Sequence, residues 1–389
     1  MNQDREVMLS GRSLSSGKGI DLTIGGGRIL KVAESDLSPD SPYLSPGFFD
    51  IQVNGFAGID YTAANFNTQH VHSMIGYVAA SGTTRHLPTI VTSPKDRMLR
   101  NLRVIADAIE SSPEAAAAIP GIHIEGPFIS SEDGPRGAHD PAFVRDPSLE
   151  EFVQWQDAAG GRIRLITLAP ERKGALEFIQ AVSAQNVVVG IGHTAASPEC
   201  IREAVAAGAR FSTHLGNGCQ NMLPRLRNHV WEQLAEDRLC AGLIADGHHL
   251  PAAVVKAIWR VKGSQRIVLV SDVATMGGKK PGVYRWGNID VQVYEDGHLG
   301  LAGTEYLAGA GHLLDRCIAQ FVKFANVGLE EAIRLCTVNP SALLDTDVPG
   351  EPFQPGLPAD LTLFDWHDGF DRLAIRKTLL HGEELFASK

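Results

Sequence analysis

One carboxylate and two imidazoles in this chain, Glu125, His193 and His214, are of the types that bind a divalent metal ion and leave a position open for water. Each follows a short apolar segment that predicts a β-strand. Metal binding lowers the pKa of a water molecule to about 7 and polarises a carbonyl group. Asp272, which follows another apolar segment, could accept the proton of that water and pass it to a leaving amine. The set predicts metal-assisted hydrolysis of an amide.

Side chains so far apart in sequence need a fold that brings the ends of many strands together. Segments with strand character alternate with helical stretches, which predicts a (β/α)8 barrel whose active site forms at the carboxyl ends of the strands. An open doubly wound sheet is the competing layout, and no G-x-G-x-x-G follows the first strand. The candidate strands are 48–53, 85–91, 118–124, 162–168, 187–191, 211–214, 240–245 and 267–271. The candidate helices are 96–111, 149–159, 174–184, 198–207 and 251–261, followed by a closing block over 308–324 and 329–344.

Both ends of the chain have strand character. Residues 20–24 and 28–32 flank a turn at 25–27, and residues 359–364 and 374–380 precede a turn at 381–382. Because chain ends often lie close together, we expect one small β-sandwich domain made of residues 1–45 and 350–389. The catalytic barrel then covers residues 46–349.

Several other polar residues have plainer explanations. His123 and Glu125 are two residues apart on one strand and therefore point to the same side. His123 is expected to fill the barrel interior rather than bind metal. Asp246 fits a helix cap or loop role as well as a site role. A structural or surface role is expected for the remaining histidines in helices, turns or the β domain, His70, His72, His86, His229, His298, His312 and His381.

Composition limits the classes of partner. The chain has 389 residues and a formal net charge of -10, which argues against nucleic acid or an anionic membrane as partner. No apolar run is long enough to span a membrane. The five cysteines are odd in number and contain no C-x-x-C, so neither a disulfide framework nor a zinc knuckle is expected. A cytoplasmic enzyme acting on a small molecule is the expectation.

At these residues the chain resembles the amidohydrolase superfamily, and within it the deacetylases of N-acetyl amino sugar phosphates. The resemblance covers residues 46 to about 304 and extends to nearly the whole chain through the β domain and the last helices. The matching segments, in the family's order, are Pro46-Gly47-Phe48-Phe49-Asp50, His123-Ile124-Glu125-Gly126-Pro127-Phe128, Gly192-His193-Thr194, Thr213-His214-Leu215-Gly216-Asn217, Ala245-Asp246-Gly247-His248-His249, Ser271-Asp272 and Leu301-Ala302-Gly303-Thr304.

The resemblance implies a role for each matching residue. Glu125, His193 and His214 match metal ligands, and Asp272 matches the catalytic aspartate. One divalent ion per subunit is implied, with Zn²⁺ expected and Fe²⁺, Mn²⁺ or Co²⁺ as alternatives. The positions that match substrate-binding residues are Ala138, His139, Asn217, Gly218, Arg225, His249, Leu301, Ala302 and Gly303. Arg227 is an alternative to Arg225 as the phosphate ligand, and because this arginine can come from a neighbouring subunit in the family, a homodimer is implied.

Four departures from the superfamily pattern bear on the site. The first strand carries Gln52 and Asn54 where many members have two metal-binding histidines, and the fourth strand ends in Thr167-Leu168 without a bridging lysine. A single metal is therefore implied, and a second near Gln52 and Asn54 is left open. The loop 218–221, Gly-Cys-Gln-Asn, and Val273 are unusual and leave the exact sugar open.

The implied reaction is hydrolysis of N-acetylglucosamine 6-phosphate to glucosamine 6-phosphate and acetate. The galacto epimer is an alternative substrate, and another N-acyl or cyclic amide is a further one. A binding protein that has lost catalysis is disfavoured, because Asp272 and all three candidate ligands are present.

Overall fold

The computed structural model describes residues 6–287, 289–346 and 352–388. Its strands are, in chain order, β1 (Val7–Ser13), β2 (Gly19–Gly25), β3 (Arg28–Ser35), β4 (Tyr43–Pro46), β5 (Phe48–Val53), β6 (Gly55–Phe56), β7 (Ile59–Asp60), β8 (Thr83–Val91), β9 (Ile122–Glu125), β10 (Ile163–Leu168), β11 (Val188–Ile191), β12 (Phe211–Ser212), β13 (Cys240–Leu243), β14 (Ile267–Leu269), β15 (Gly282–Trp286), β16 (Ile289–Val293), β17 (Leu299–Leu301), β18 (Leu361–Asp365), β19 (Ala374–Leu380) and β20 (Glu383–Ala387). The α-helices are α1 (Thr68–Ala79), α2 (Lys95–Ser111), α3 (Pro113–Ala118), α4 (Leu149–Ala158), α5 (Ala175–Ser183), α6 (Pro198–Ala207), α7 (His229–Ala235), α8 (Ala252–Lys262), α9 (Leu314–Ala325), α10 (Leu329–Arg334) and α11 (Val338–Leu344).

Eight parallel strands form a barrel in the order β5, β8, β9, β10, β11, β12, β13 and β14. The barrel closes between its first and last strands, where the Asp272 amide donates to the Gln52 carbonyl at 2.9 Å and the Asn54 amide to the Val273 carbonyl at 3.0 Å. The predicted (β/α)8 barrel is confirmed, and the closure excludes an open doubly wound sheet.

The barrel strands are buried on both faces, which is why they appear in the sequence as continuous apolar runs. Side chains such as Phe49, Ile51, Leu165 and Phe211 fill the barrel interior, while a second cluster lies between strands and surrounding helices. Helix starts follow the usual capping chemistry; the Ser197 hydroxyl, for example, accepts the Cys200 amide ahead of a proline at the first turn of α6.

Element boundaries differ from expectation in three places. The third barrel strand was expected from Ala118, but Ala118 ends α3 and the strand begins at Ile122. The sixth to eighth strands end earlier than predicted, because the residues that follow turn out of the ladder to build the site. The closing block begins at Leu314 rather than Ala308, and its second half is two helices, α10 and α11.

The two chain ends together build a second sheet, of seven strands in the order β20-β19-β18-β4-β1-β2-β3. The expected β domain from both ends is therefore present, with its strands hydrogen-bonded into one sheet that is antiparallel except for the β1–β4 pair. The proposed boundary at 45/46 falls within β4, one residue before that strand ends, and the boundary at 349/350 lies outside the described residues.

Buried polar contacts join this sheet to the barrel. Arg85 on β8 contacts the carboxylate of Asp360 at 2.5 Å, and the Gly47 amide donates to the Asp360 carbonyl at 2.9 Å. A separate three-stranded antiparallel sheet, β15–β16–β17, is inserted after the last barrel strand. No helix in the described ranges is long and apolar enough to cross a membrane.

Candidate metal centre and active site

The site residues lie where the barrel strands end and the backbone turns. Glu125 is the last residue of β9, and His193, His214 and Asp272 follow β11, β12 and β14. These last three have φ angles of 49°, 33° and 51°, in the left-handed region that non-glycine residues rarely occupy. Backbone conformations of this kind cluster at functional sites, where the surrounding structure holds them in place.

Glu125, His193 and His214 meet at one point. The Glu125 Oε1 atom lies 3.1 Å from His193 Nε2 and 3.0 Å from His214 Nε2, and the two nitrogens are 3.0 Å apart. All three side chains are buried. The sequence expectation that these residues converge is confirmed by this geometry.

The donor set fits a divalent metal ion. Tetrahedral bonds of roughly 2.1 Å place ligand atoms about 3.4 Å apart, a few tenths of an ångström more than the edges seen here. The Pro135 carbonyl lies 2.8 Å from His193 Nδ1, and because a carbonyl can only accept, Nδ1 carries the proton and the Nε2 lone pair is free. Burial alone would raise the pKa of Glu125, but the two adjacent imidazoles hold it well below its usual range.

Gln52 and Asn54 act on the site from the first strand, although neither is a good metal ligand. Gln52 Nε2 donates to Glu125 Oε1 at 3.0 Å, and Asn54 Nδ2 donates to Asp272 Oδ1 at 2.7 Å. The register of β5 against β8 shifts between Asp50 and Val53, and such irregularities re-aim side chains beside active sites. The two amides therefore position the ligand carboxylate and the candidate base.

Asp272 lies close enough to the centre to be affected by its charges. Burial and, to a lesser extent, the Glu125 carboxylate raise the pKa of Asp272, and His214 and the Asn54 hydrogen bond oppose the rise, which leaves the pKa at about 6. A carboxylate with a pKa near neutrality can both accept and return a proton, as a base that becomes an acid must.

His139 is a third imidazole at the centre, contributed by the loop after β9. Its Nε2 atom lies 3.3 Å from His193 Nε2, and its Nδ1 atom lies 2.7 Å from the Thr92 hydroxyl. A Cβ at Gly126 would meet that hydroxyl oxygen at 2.3 Å, so the glycine leaves room for the Thr92–His139 contact. Burial lowers the pKa of His139 to about 3, which keeps its ring neutral.

Two glycine-containing loops enclose the His193 ring. A Cβ at Gly218, where φ is +56°, would lie 2.9 Å from His193 Nδ1, and one at Gly137 would lie 3.3 Å from Cε1. Asn217, in the first of these loops, donates its side-chain amide to the His214 carbonyl at 3.2 Å. Ala138, in the second, is exposed beside His139. The structure thus brings four of the predicted substrate residues to the metal centre.

Asp246 holds His249 rather than capping a helix. Its Oδ2 atom lies 2.8 Å from His249 Nδ1, and its Oδ1 atom accepts the amides of His248 and His249. This contact leaves His249 Nε2 as the atom that can meet a ligand. His123 contacts the Thr167 hydroxyl at 2.8 Å in the buried interior and is absent from the ligand set, as expected.

The two candidate phosphate ligands differ in their partners. Arg227 pairs with Glu199 at 2.6 Å. Arg225 is exposed and, within the described part of the chain, forms no hydrogen bond or ion pair. Arg225 is thus the more available of the two.

Leu301 ends β17, and Ala302 and Gly303 form the turn after it, beside the inserted sheet rather than in the barrel. The Ala302 amide donates to the Asp290 carbonyl at 2.9 Å, and Gly303 has a φ of +79° with open space beside it. No contact between these three and the metal ligands occurs among the described residues, and their substrate role stays a prediction.

The positioning residues were missed by sequence reasoning. Gln52 and Asn54 are two apart on the first strand and therefore share a face, a signal that could have suggested a supporting role. The Pro135 carbonyl offered no such signal, because every residue has a carbonyl.

Comparison with known proteins agrees with the geometry of the site. The model of the amidohydrolase family matches residues 43–385. N-acetylglucosamine-6-phosphate deacetylase of Bos taurus is 33% identical over 388 residues, covering 93% of this chain and 90% of the relative. N-acetylgalactosamine-6-phosphate deacetylase of Escherichia coli O157:H7 is 30% identical, covering 84% of each chain.

A solved structure extends the likeness to the whole fold. A mutant N-acetyl-D-glucosamine-6-phosphate deacetylase from Mycobacterium smegmatis, in complex with N-acetyl-D-glucosamine-6-phosphate, superposes with a TM-score of 0.85 at 28% identity. The match covers 98% of this chain and 99% of that one.

Proposed function

This chain belongs to the amidohydrolase family, and we propose that it hydrolyses the N-acetyl group of N-acetylglucosamine 6-phosphate to give glucosamine 6-phosphate and acetate. One observation carries the proposal: Glu125, His193 and His214 converge within 3.1 Å, with Asp272 fixed beside them by Asn54. A water-activating centre with an adjacent carboxylate is what amide hydrolysis needs.

The metal ion is proposed to be Zn²⁺, one per subunit, held by Glu125, His193 and His214. A mixed carboxylate and imidazole set suits zinc, and Fe²⁺, Mn²⁺ or Co²⁺ could replace it. When bound, such an ion supplies a hydroxide-like water and polarises the acetamide carbonyl.

The chain's own residues then handle the protons and the substrate. Asp272 takes a proton from the water through its free carboxylate oxygen and returns it to the amino group of the departing sugar. His139, neutral and fixed by Thr92, is placed to hold the acetamide oxygen. Asn217 is proposed to contact the sugar, since its loop lies against the metal-binding histidines.

The 6-phosphate is proposed to bind Arg225 and His249. A guanidinium can bind two phosphate oxygens at once, and Arg225 has no competing carboxylate among the residues that the structure describes. Asp246 holds His249 through Nδ1, which leaves Nε2 as the ring nitrogen for a ligand. The galacto epimer remains the second candidate, because the relative from Escherichia coli O157:H7 is named for it.

Acetate release tests the proposal. Metal-loaded enzyme should release acetate from N-acetylglucosamine 6-phosphate faster than from its galacto epimer or from unphosphorylated N-acetylglucosamine. Asp272→Asn should lower kcat by about a thousandfold or more, in line with loss of a general base and acid, while still binding metal. The exposed Asp107→Asn serves as the control of matched chemistry.

Three results would count against it. No acetate above a metal-free blank with either epimer would remove the proposed activity, and faster turnover of the galacto epimer would reassign the substrate. Near-normal turnover by Asp272→Asn would remove the role given to that carboxylate.

A homodimer and a cytoplasmic location remain predictions. All five cysteines are free in the structure.

A further inference from the structure

A second cluster of metal-ligand side chains lies outside the catalytic centre. It consists of His248, in the loop after β13, together with Asp296 and His298, in the turn between β16 and β17. The sequence alone predicted only a structural or surface role for His298. The cluster shares no residue with the Glu125–His193–His214 centre.

The three side chains bring their ligand atoms within 4.8 Å of one another. Asp296 Oδ1 lies 2.5 Å from His298 Nδ1, and Asp296 Oδ2 lies 3.7 Å from His248 Nε2. The two imidazole rings are stacked with centroids 4.6 Å apart. The exposed fractions of the side chains are 20% for His248, 25% for His298 and 49% for Asp296, so an ion in solution can reach them.

Two buried nitrogens at this place lack hydrogen-bond partners. His248 Nε2 is buried without a hydrogen bond, although it faces the Asp296 carboxylate. His312 is 4% exposed, its Nε2 is likewise unpaired, and its ring stacks 5.6 Å from that of His248. A buried nitrogen without a hydrogen-bond partner costs free energy, so its presence needs an explanation. A position that binds a metal ion would explain it.

The local charge favours a cation. Asp296 and Asp246 contribute two negative charges and Arg316, bonded to the Asp246 carbonyl, contributes one positive charge. Burial lowers the pKa values of His248 and His312, the latter to about 4, so both rings are neutral ligands at neutral pH.

We propose that His248, Asp296 and His298 form a second divalent-metal site of the zinc class, separate from the catalytic centre. Two imidazoles and one carboxylate are a recognised ligand set for such ions. His312 supports the turn that carries two of these ligands, because a Cβ at Gly297 would meet His312 Cε1 at 2.9 Å.

An ion at this site would fasten the inserted sheet to the barrel. His248 directly precedes His249, the proposed phosphate ligand, so the ion would also restrict the loop that carries His249. The effect expected is structural: one more metal equivalent and a more stable inserted sheet, without a new reaction.

Metal counting tests this site without relying on activity. The full chain is stripped with a chelator, reloaded with excess Zn²⁺, freed of loose ion and analysed by mass spectrometry of metals. Wild type should bind two equivalents, and His298→Leu and Asp296→Asn should each weaken the second equivalent at least about tenfold. The His367→Leu variant, which changes an exposed residue in the loop between β18 and β19, should keep both.

The variants also distinguish this site from a second metal site near Gln52 and Asn54. Wild-type protein that binds a single equivalent would overturn the proposal. So would a second equivalent that survives both His298→Leu and Asp296→Asn, because it would then lie elsewhere. Added zinc should raise the Tm of wild type more than that of either variant, and equal shifts would also contradict the site.

Discussion

Asp272 depends on its neighbour Asn54 for both position and acidity. The Asn54 amide lies 2.7 Å from Asp272 Oδ1 and stabilises the charged form, which opposes the effect of burial on the pKa. The base works only when it is ionised, so activity falls as the pH drops through that pKa. Because the pKa of Asp272 is raised to about 6, we expect the acidic limb of the rate profile at or below pH 6. A nearby cation can only lower that pKa further.

Replacing Asn54 by alanine should therefore move the acidic limb of kcat to higher pH. Loss of a hydrogen bond to the charged form costs about 1.4 kcal/mol for each pKa unit, and a shift of roughly one unit is expected. The profile of kcat against pH measures this shift, with the exposed Asn65→Ala as control. An unmoved limb would mean that Asn54 does not set the acidity of Asp272.

The candidate metal ligands could be identified from the sequence more readily than the residues that position them. Glu125, His193 and His214 could be found because their types are distinctive and each follows an apolar strand. The contacts of His193 with Pro135 and of His139 with Thr92 could not, because they depend on loop geometry that periodicity does not encode.

Among the elements, the junction of α7 and α8 is held by one buried cation. Lys262, at the end of α8, donates to the carbonyls of Gln233, Glu236 and Leu239 at 2.7 to 3.0 Å. These carbonyls lie in the last turn of α7 and in the segment after it, where helical partners are missing. Burial lowers the pKa of Lys262 to about 8, yet the group is still mostly charged at pH 7.

Lys262→Met should destabilise the fold, because methionine has a side chain of similar length but leaves three carbonyls without a donor. A loss of about 1–3 kcal/mol in the free energy of unfolding is expected. Urea unfolding measures it, and Lys256→Met on the same helix is the matched control, since Lys256 has no ion pair or hydrogen bond among the described residues. Equal stability of the two variants would show that solvent satisfies these carbonyls.

The barrel strands could be predicted because burial on both faces produces unbroken apolar runs. Several elements were not predicted, among them helices α1 and α7. The start of α3 was hidden beside an apolar run, although Ser112 followed by Pro113 is a helix-start signal. Strands β15 to β17 alternate in polarity, but they interrupt the strand–helix pattern that the barrel predicts, and no motif indicated an insertion there.

For the whole molecule, the surface around Arg225 suggests how subunits would meet. Met222, Leu226 and Trp231 are exposed to 89%, 75% and 53%, on the same segment as the unpaired Arg225. An apolar patch of this kind beside a proposed phosphate ligand fits a contact with a second copy of the chain. The sequence could imply such a dimer only through the family resemblance.

Mixing two defective variants tests whether Arg225 serves the neighbouring subunit. Asp272→Asn and Arg225→Ala homodimers should each be poorly active at low substrate concentration. After subunit exchange, mixed dimers contain one site with both Asp272 and a partner's Arg225, so acetate release should rise severalfold, toward a quarter of the wild-type rate. Sedimentation measures the assembly state, and a mixture no more active than its components would place Arg225 in its own subunit's site or leave the chain monomeric.

The sheet shared by both chain ends affects the order of events during synthesis. Strands β1 to β4 leave the ribosome first, yet β4 pairs with β18, which is made more than three hundred residues later. The nascent amino-terminal strands therefore wait with one edge unpaired while the barrel is translated. Completion of the sheet is among the last steps of folding, and a chain truncated before Leu361 leaves that edge open to association with other nascent chains.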